Sequence, residues 1–293
     1  MTDTVTPPLT LPAAGSAELA AALSAAVGLP AAAHFWALIP CAGIGARALP
    51  AGASAAAAPL PKQYQPVAGK PLVLHTLAAF AAVQRLQGTL VAVAPGDDFL
   101  NAHAEQLSFV VVGCGGATRA DTVLGGLREL RQRGASERDW VLVHDAARCL
   151  ITPEQIDALM DACALDAVGG LLAHKLADTL KTATAGPGGI RVSSTVDRSD
   201  KWLAQTPQMF RLGALQEAIE LVGDAVTDEA SAMEAMGFHP LLVTGSALNF
   251  KVTYPPDFVL AQAVLSQRVH GGTVDRFGGD RGLVSDVPAK TIF

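Results

Sequence analysis

Lysine and arginine are absent from the first 33 residues of this 293-residue chain, which excludes the basic n-region of a secretory signal and the Arg-rich composition of a transit peptide. No apolar run is long enough to span a bilayer; the mildly apolar stretch Leu19–Ala33 is interrupted by Ser24, Gly28 and Pro30. Cysteine is scarce as well. Cys41, Cys114, Cys149 and Cys163 are widely spaced without a C-x-x-C pair, which fits reduced thiols better than a disulfide framework or a zinc site. The expectation is a soluble, cytoplasmic protein with no membrane partner. Positive charge is also in deficit, 21 Lys and Arg against 27 Asp and Glu for a net charge of -6. That balance leaves no general footprint for nucleic acid, so a polyanionic ligand must be met by a local basic cluster. His75, His103, His174 and His239 lack metal-ligand spacing and read as structural or surface residues. No internal repeat is visible.

What is present is a chain that is 50% hydrophobic, enough for one large α/β core. Residues 1–33, rich in Ala, Pro and Thr, and 270–293, dense in Gly and charge, read as tails around a folded unit at 34–269. Strand-length apolar runs at Phe35–Ile39, Leu90–Ala94, Phe109–Val112, Trp140–Val143 and Val168–Leu172 alternate with amphipathic stretches at Pro71–Val83, Asp97–Ala104, Ala120–Arg131 and Pro153–Cys163. This alternation predicts a mostly parallel mixed sheet with helices on both faces, whose ligands bind at the carboxyl ends of strands. From Lys175 to Arg198 the rhythm changes to Thr-rich, β-prone segments around the turn sequence Ala185–Gly189, which predicts a protruding β-arm. Such a hairpin has too little core to stand alone, and a second subunit is its natural cover. Helices are expected again at Gly213–Val222 and Asp228–Met236, a strand at Pro240–Val243, and a closing helix at Pro256–Ser266.

Directly after the first strand stands Pro40-Cys41-Ala42-Gly43-Ile44-Gly45-Ala46-Arg47, a loop whose small residues let backbone N–H groups approach a phosphate chain. A third glycine opening a helix is missing, since Ala48-Leu49-Pro50 follows, and a nicotinamide site is therefore disfavoured. Glycines alone are equally consistent with a plain tight turn. Arg47 and, after an Ala-rich insertion, Pro61-Lys62-Gln63-Tyr64 tip the balance, because two cations beside a glycine loop can neutralise charge developing on a triphosphate.

Together these segments resemble the opening signature of the 2-C-methyl-D-erythritol 4-phosphate cytidylyltransferase family, and further blocks follow in the family's order. They are Gly115-Gly116-Ala117-Thr118-Arg119-Ala120-Asp121-Thr122-Val123; Val143-His144-Asp145-Ala146-Ala147-Arg148; Asp178-Thr179-Leu180-Lys181 with Val196-Asp197-Arg198 and Gln205-Thr206-Pro207-Gln208; Thr227-Asp228-Glu229-Ala230-Ser231; and Asn249-Phe250-Lys251-Val252-Thr253. The resemblance runs from about Phe35 to Ser266. Departures are Cys41 for a usual Ala, Cys149 for a frequent Pro, Phe250 for Ile or Leu, and the Ala-rich lengthening at Ala51–Leu60; none removes a charged or hydroxyl group from a motif.

The resemblance implies a Rossmann-like nucleotidyltransferase fold and attack by the phosphate oxygen of methylerythritol phosphate on the α-phosphorus of CTP, with pyrophosphate leaving. Positioning and charge neutralisation then dominate over acid–base chemistry. Arg47 and Lys62 are expected to stabilise the transition state, and Arg198 and Lys251 to hold the attacking phosphate, with Arg198 reaching from a neighbouring subunit of a homodimer. Thr179, Thr206 and Thr227 would offer hydroxyls to the acceptor. Pro40, Ala42, Gly43, Gly45, Gly116, Thr122 and Ala146 would frame the nucleotide. Asp145 is placed to meet ribose, acceptor hydroxyls or Mg²⁺, the ion itself being implied by the triphosphate and held mostly through its oxygens. Arg148 is either a second-anion contact or an ion-pair partner of Asp145, and His144 has no assigned role. The competing readings are a ribitol 5-phosphate cytidylyltransferase and a catalytically silent nucleotide-binding protein. Thr227-Asp228-Glu229-Ala230-Ser231 leans against the first, and the joint presence of Arg47, Lys62, Arg198 and Lys251 against the second. A fused second enzyme is not expected, because the few residues after the closing helix carry no metal-type His/Asp motif.

Overall fold

A computed structural model describes residues 33–43, 60–103, 108–223 and 226–277. Strand β1 (Phe35–Pro40) lies inside a seven-stranded sheet, while β2 (Pro66–Val67) and β3 (Lys70–Pro71) form a short antiparallel pair of their own. β1 pairs in parallel with β4 (Leu86–Ala92) on one side and with β6 (Trp140–Val143) on the other, and β5 (Phe109–Val112) extends the sheet beyond β4. Beyond β6, the long β10 (Trp202–Arg211) runs antiparallel to both β6 and β7 (Gly169–Lys175), and β11 (Leu241–Thr244) closes that edge parallel to β7. The expected mostly parallel mixed sheet is what forms.

Strand periodicity explains why both faces are covered. Successive side chains of a strand point to opposite faces, and in β1 Ala37 and Ile39 join one apolar cluster while Leu38 joins the other. The first cluster includes Leu77 and Phe80 of α1 (Leu72–Ala81) and Ile156, Leu159 and Met160 of α3 (Pro153–Cys163). The second takes Val123, Leu127 and Leu130 of α2 (Arg119–Gln132), Leu215 and Ile219 of α4 (Leu212–Val222) and Met233 of α5 (Glu229–Ala235). Each such fully buried Leu, Ile or Phe side chain is worth about 1.5–3 kcal/mol against exposure. A third, smaller cluster lies under the last helix, α6 (Pro255–Phe277), around Leu72, Leu150, Val252 and Ala261.

Helix starts are written locally. Thr118 accepts from the Asp121 N–H while the Asp121 carboxylate accepts from the Thr118 N–H, a reciprocal cap that opens α2; Thr152 with Gln155 does the same for α3, and Asp228 with Ser231 for α5. Caps of this kind contribute about 1 kcal/mol each.

Three expectations are corrected by the fold, and one strand was not foreseen. Residues 97–103 form turns and a 3-10 turn at Asn101–His103 rather than a helix. The Asp97 carboxylate explains this, accepting from the Phe99 N–H at 3.1 Å and the Tyr64 hydroxyl at 2.7 Å and so drawing the backbone into a turn. β4 begins at Leu86, ahead of the expected Leu90. β10 went unrecognised because its centre, Gln205-Thr206-Pro207-Gln208, is polar and holds a proline. The register with β7 shifts between Ala204 and Gln208, which is where a residue without an N–H is tolerated. Finally, α6 continues to Phe277, so part of the segment read as a C-terminal tail is helical.

The arm is present as a separate antiparallel pair, β8 (Leu180–Gly186) with β9 (Gly189–Val196), nearly all of it exposed. The flanking residues 1–32 and 278–293, and most of the Ala-rich lengthening, lie outside the described residues.

Candidate active site

The carboxyl ends of β1 and β6 open onto a cleft of about 270 Å³, lined also by the loop into α2, the turn at Lys62–Tyr64 and the segment ahead of α6. Several residues expected to frame a nucleotide meet there: Pro40, Ala42, Gly43, Gly116, Thr122 and Ala146 all line it. Gly116 is required by close approach, because a Cβ at that position would stand 2.3 Å from the Asp121 Cβ. Its N–H donates to the Thr122 hydroxyl at 3.2 Å, and that hydroxyl donates to the Thr118 carbonyl at 2.9 Å, so Thr122 shapes the loop from within. The start of α2 presents backbone N–H groups and the positive end of the helix dipole to the same space, a setting that favours an anion. On the opposite wall the Gln63 amide donates to the carbonyls of Cys41 and Gly43, both at 2.9 Å, and thereby fixes the glycine loop. Gly45 and Arg47 lie outside the described residues.

Charge is concentrated on the cleft floor. Asp145 is buried, with Arg119 Nε at 3.0 Å on one oxygen and Lys251 Nζ at 2.9 Å on the other; Arg148 Nε stands 3.6 Å away. Burial by itself would raise the Asp145 carboxyl, but the cations of Arg119, Lys251 and Arg148 outweigh it and hold the group well below the usual carboxylate range. Arg119 is itself gripped by both oxygens of Glu229, at 2.7 and 3.0 Å. Its burial, which would lower the guanidinium, is likewise outweighed by Glu229 and Asp145. Lys62 lines the cleft and donates to the Val252 carbonyl at 2.7 Å, so neighbouring residues 251 and 252 bring both lysines to one place.

Of the two expectations for Arg148, the ion pair with Asp145 is present, at 3.6 Å. Its side chain is largely buried behind the floor, donating to the Asn249 carbonyl at 2.8 Å and pairing with Asp145, and it does not line the cleft. Thr206 is also placed behind the floor: its buried hydroxyl accepts the Asp145 N–H at 3.0 Å and lies 3.1 Å from His144 Nδ1. His144 is fully buried, which pushes it down to about 3 and keeps the ring neutral. Thr227 sits exposed just ahead of α5, bonded to the Ser231 hydroxyl. Thr179 and Arg198 lie at the exposed base of the arm, Arg198 donating to the Leu176 carbonyl at 3.2 Å, and neither lines the cleft.

Asp145 does not fit the expected contact with a metal. Each of its oxygens already serves a cationic side chain, and a divalent ion would have to displace Arg119 or Lys251. Among the described residues no group of three or more His, Cys, Asp or Glu side chains is arranged to hold one. Arg119, Glu229, Gln63 and Asn249 received no role from sequence, although all stand inside the quoted blocks. For Arg119 the only local signal was its place as the first residue of a capped helix behind two glycines. Glu229 carried none, since a buried acid at a helix start looks like any first-turn Glu.

The family model described as IspD: 2-C-methyl-D-erythritol 4-phosphate cytidylyltransferase matches residues 35–267. A similar protein is the 2-C-methyl-D-erythritol 4-phosphate cytidylyltransferase of Paraburkholderia phymatum, 49% identical over 242 residues that cover 81% of this chain and 99% of its own. A bifunctional IspD/IspF enzyme of Albidiferax ferrireducens is 61% identical over 237 residues, 80% of this chain, and this chain spans 54% of that relative's length. Among solved structures, a 4-diphosphocytidyl-2C-methyl-D-erythritol synthase is 39% identical with a TM-score of 0.67, over 80% of this chain and 98% of its own. The cytidylyltransferase of Francisella tularensis is 32% identical with a TM-score of 0.63, over 78% and 98%.

Proposed function

Because the chain belongs to the 2-C-methyl-D-erythritol 4-phosphate cytidylyltransferase family, we propose that it transfers CMP from CTP to 2-C-methyl-D-erythritol 4-phosphate, giving 4-diphosphocytidyl-2-C-methyl-D-erythritol and pyrophosphate. The observation that carries this reading is the meeting of Lys62, Lys251, Arg119 and Asp145 beside a glycine loop and a helix start at the carboxyl edge of the sheet. An oxygen of the acceptor phosphate attacks the α-phosphorus, and the bond from that phosphorus to the bridging oxygen of pyrophosphate breaks. Lys62 and Arg47 neutralise charge growing on the α-phosphate and the leaving group, while Lys251 and Arg198 hold the attacking phosphate. Backbone groups around Gly116 and Ala146 read the pyrimidine, and Asp145 faces the acceptor's hydroxyls.

Three finer points complete the proposal. Mg²⁺ enters with the triphosphate, held by its oxygens and water rather than by Asp145. The protein works as a homodimer, which is supported by the apolar residues Ile190 and Val192 standing 81% and 65% exposed on an arm that also carries Arg198. The cytoplasm is its compartment, supported by four free cysteines, three of them buried; among the described residues no helix is long and apolar enough to cross a membrane. A pyrophosphate-release assay with CTP, UTP, ATP and GTP, each against methylerythritol phosphate and ribitol 5-phosphate, tests the reading. Turnover is expected with CTP and methylerythritol phosphate and to stop on chelation of divalent ions; equal turnover with ATP, or preference for ribitol 5-phosphate, would overturn it.

A further inference from the structure

Glu229 stands outside the cleft yet is joined to it. It is the first residue of α5, 1% exposed, and both its oxygens are taken by the two terminal nitrogens of Arg119. With that fork occupied, Arg119 meets Asp145 through Nε, on Oδ1. The other Asp145 oxygen takes the Lys251 ammonium at 2.9 Å, with Arg148 Nε farther off at 3.6 Å from the same oxygen. Three cations, Arg119, Arg148 and Lys251, thus share two carboxylates, and the sharing has a definite order.

Resting on the cytidylyltransferase reading, we propose that Glu229 is a positioning residue: by holding the fork of Arg119 it keeps that guanidinium off the second oxygen of Asp145 and so sets the Lys251 ammonium where the acceptor phosphate binds. The physical reason is competition for one carboxylate. A guanidinium presents two parallel N–H groups that match both carboxylate oxygens, whereas an ammonium is a compact, strongly hydrated charge on a flexible stem. Without Glu229 the freed fork of Arg119 closes on Asp145, and Lys251, whose side chain is 36% exposed, is released to solvent. Glu229 touches neither substrate; it acts through Arg119 and Asp145.

Glu229→Gln removes the charge at constant size, and Glu229→Asp keeps the charge on a shorter stem. With CTP saturating, Glu229→Gln is expected to lower kcat/KM for methylerythritol phosphate about 10- to 100-fold, the loss that follows from misplacing a group by about 1 Å. CTP binding, read by calorimetry, should change little, and Glu229→Asp should recover part of the loss. The deciding arm is a double-mutant cycle: in a Lys251→Met background Glu229→Gln costs nothing further, because the ammonium it serves is gone. Losses that multiply in full, or a loss confined to CTP binding, would overturn the proposal. Should Glu229→Gln not fold, Glu229→Asp, whose shorter stem loosens the hold on the fork, takes its place in the cycle, and its smaller loss should likewise vanish in the Lys251→Met background. A wild-type protein without turnover would remove the functional reading alone, since the relay has its own readout. The Lys251 ammonium should give a ¹H–¹⁵N signal slowed in exchange by its salt bridge; Glu229→Gln should abolish it, and a signal that survives would sink the relay.

Discussion

The cleft floor and the arm carry their charged residues in opposite ways. On the floor, Arg119, Asp145 and Lys251 are tied together, with Glu229 holding Arg119 from behind and both carboxylates buried. At the arm base, Arg198 is exposed and anchored by one contact to a backbone carbonyl, and the strands beside it show apolar side chains to solvent. The floor is organised by its own subunit: removing water strengthens each ion pair, and the cost of desolvation is offset because every buried carboxylate has partners. The arm has no such interior. Its order is that of a two-stranded hairpin, which gains stability only when something covers it. On the homodimer proposed above, a floor residue acts within its own chain, whereas an arm residue acts in the site of a second copy.

The largest expected effect tests the floor. Lys62→Ala should lower the rate about a hundred- to a thousandfold, or roughly 3 to 4 kcal/mol, with little change in CTP affinity, because Lys62 is assigned to charge that grows in the transition state. Near-normal turnover would withdraw that role. The next test separates the two regions. Arg198→Ala and Lys62→Ala homodimers should each be nearly inactive, yet a fully exchanged equal mixture should regain about a quarter of wild-type activity, since half the dimers are mixed and one of their two sites is intact. If exchange is verified and no activity returns, Arg198 acts in its own chain and the comparison fails.

Asp145→Asn tests the floor by stability rather than rate. A carboxyl whose folded value is depressed stabilises the fold wherever it is charged in both states, above its ordinary value of about 3.9, and that contribution is lost as pH falls from there toward the folded value. Asp145→Asn should cost about 3 kcal/mol near neutral pH, as expected for breaking a buried ion cluster. It should also flatten the dependence of the denaturation midpoint on pH in the acid range; an unchanged acid profile would count against the cluster. The smallest effect belongs to the arm. Ile190→Ser with Val192→Ser should leave the unfolding of the core within about 0.5 kcal/mol, as exposed substitutions do, while weakening self-association seen by sedimentation. A large drop in core stability would mean that the arm is not the separate, partner-dependent element described.

How far these features were legible in the sequence differs by the range of the interaction. Strands β1, β5 and β6 were readable because their runs are short, apolar and bounded by turn residues. Asp97–Ala104 misled because its spacing is helical, whereas the Asp97 carboxylate bonds Phe99 and Tyr64 and turns the chain instead. β10 was hidden by its polar centre, whose Thr206 and Gln208 are buried and satisfied by distant partners, His144 and Asp228. Lys62, Lys251 and Asp145 were named from their motifs and do meet in one cleft. Thr206 and Arg148 were named from motifs too, but stand behind the floor they support.

Local chemistry in the sequence by itself determined the β/α alternation, the faces of β1, the capped starts of α2, α3 and α5 and the order of the motif blocks, because each rests on residues a few positions apart. Tertiary structure alone decided that Arg119 is shared between Glu229, 110 residues away, and Asp145, 26 residues away. That sharing depends on the strand order β11-β7-β10-β6-β1-β4-β5, which carries α2, the end of β6 and α5 to one edge of the sheet. No local propensity encodes which cation claims which carboxylate oxygen; burial and the geometry of the guanidinium fork settle that only once the chain has folded.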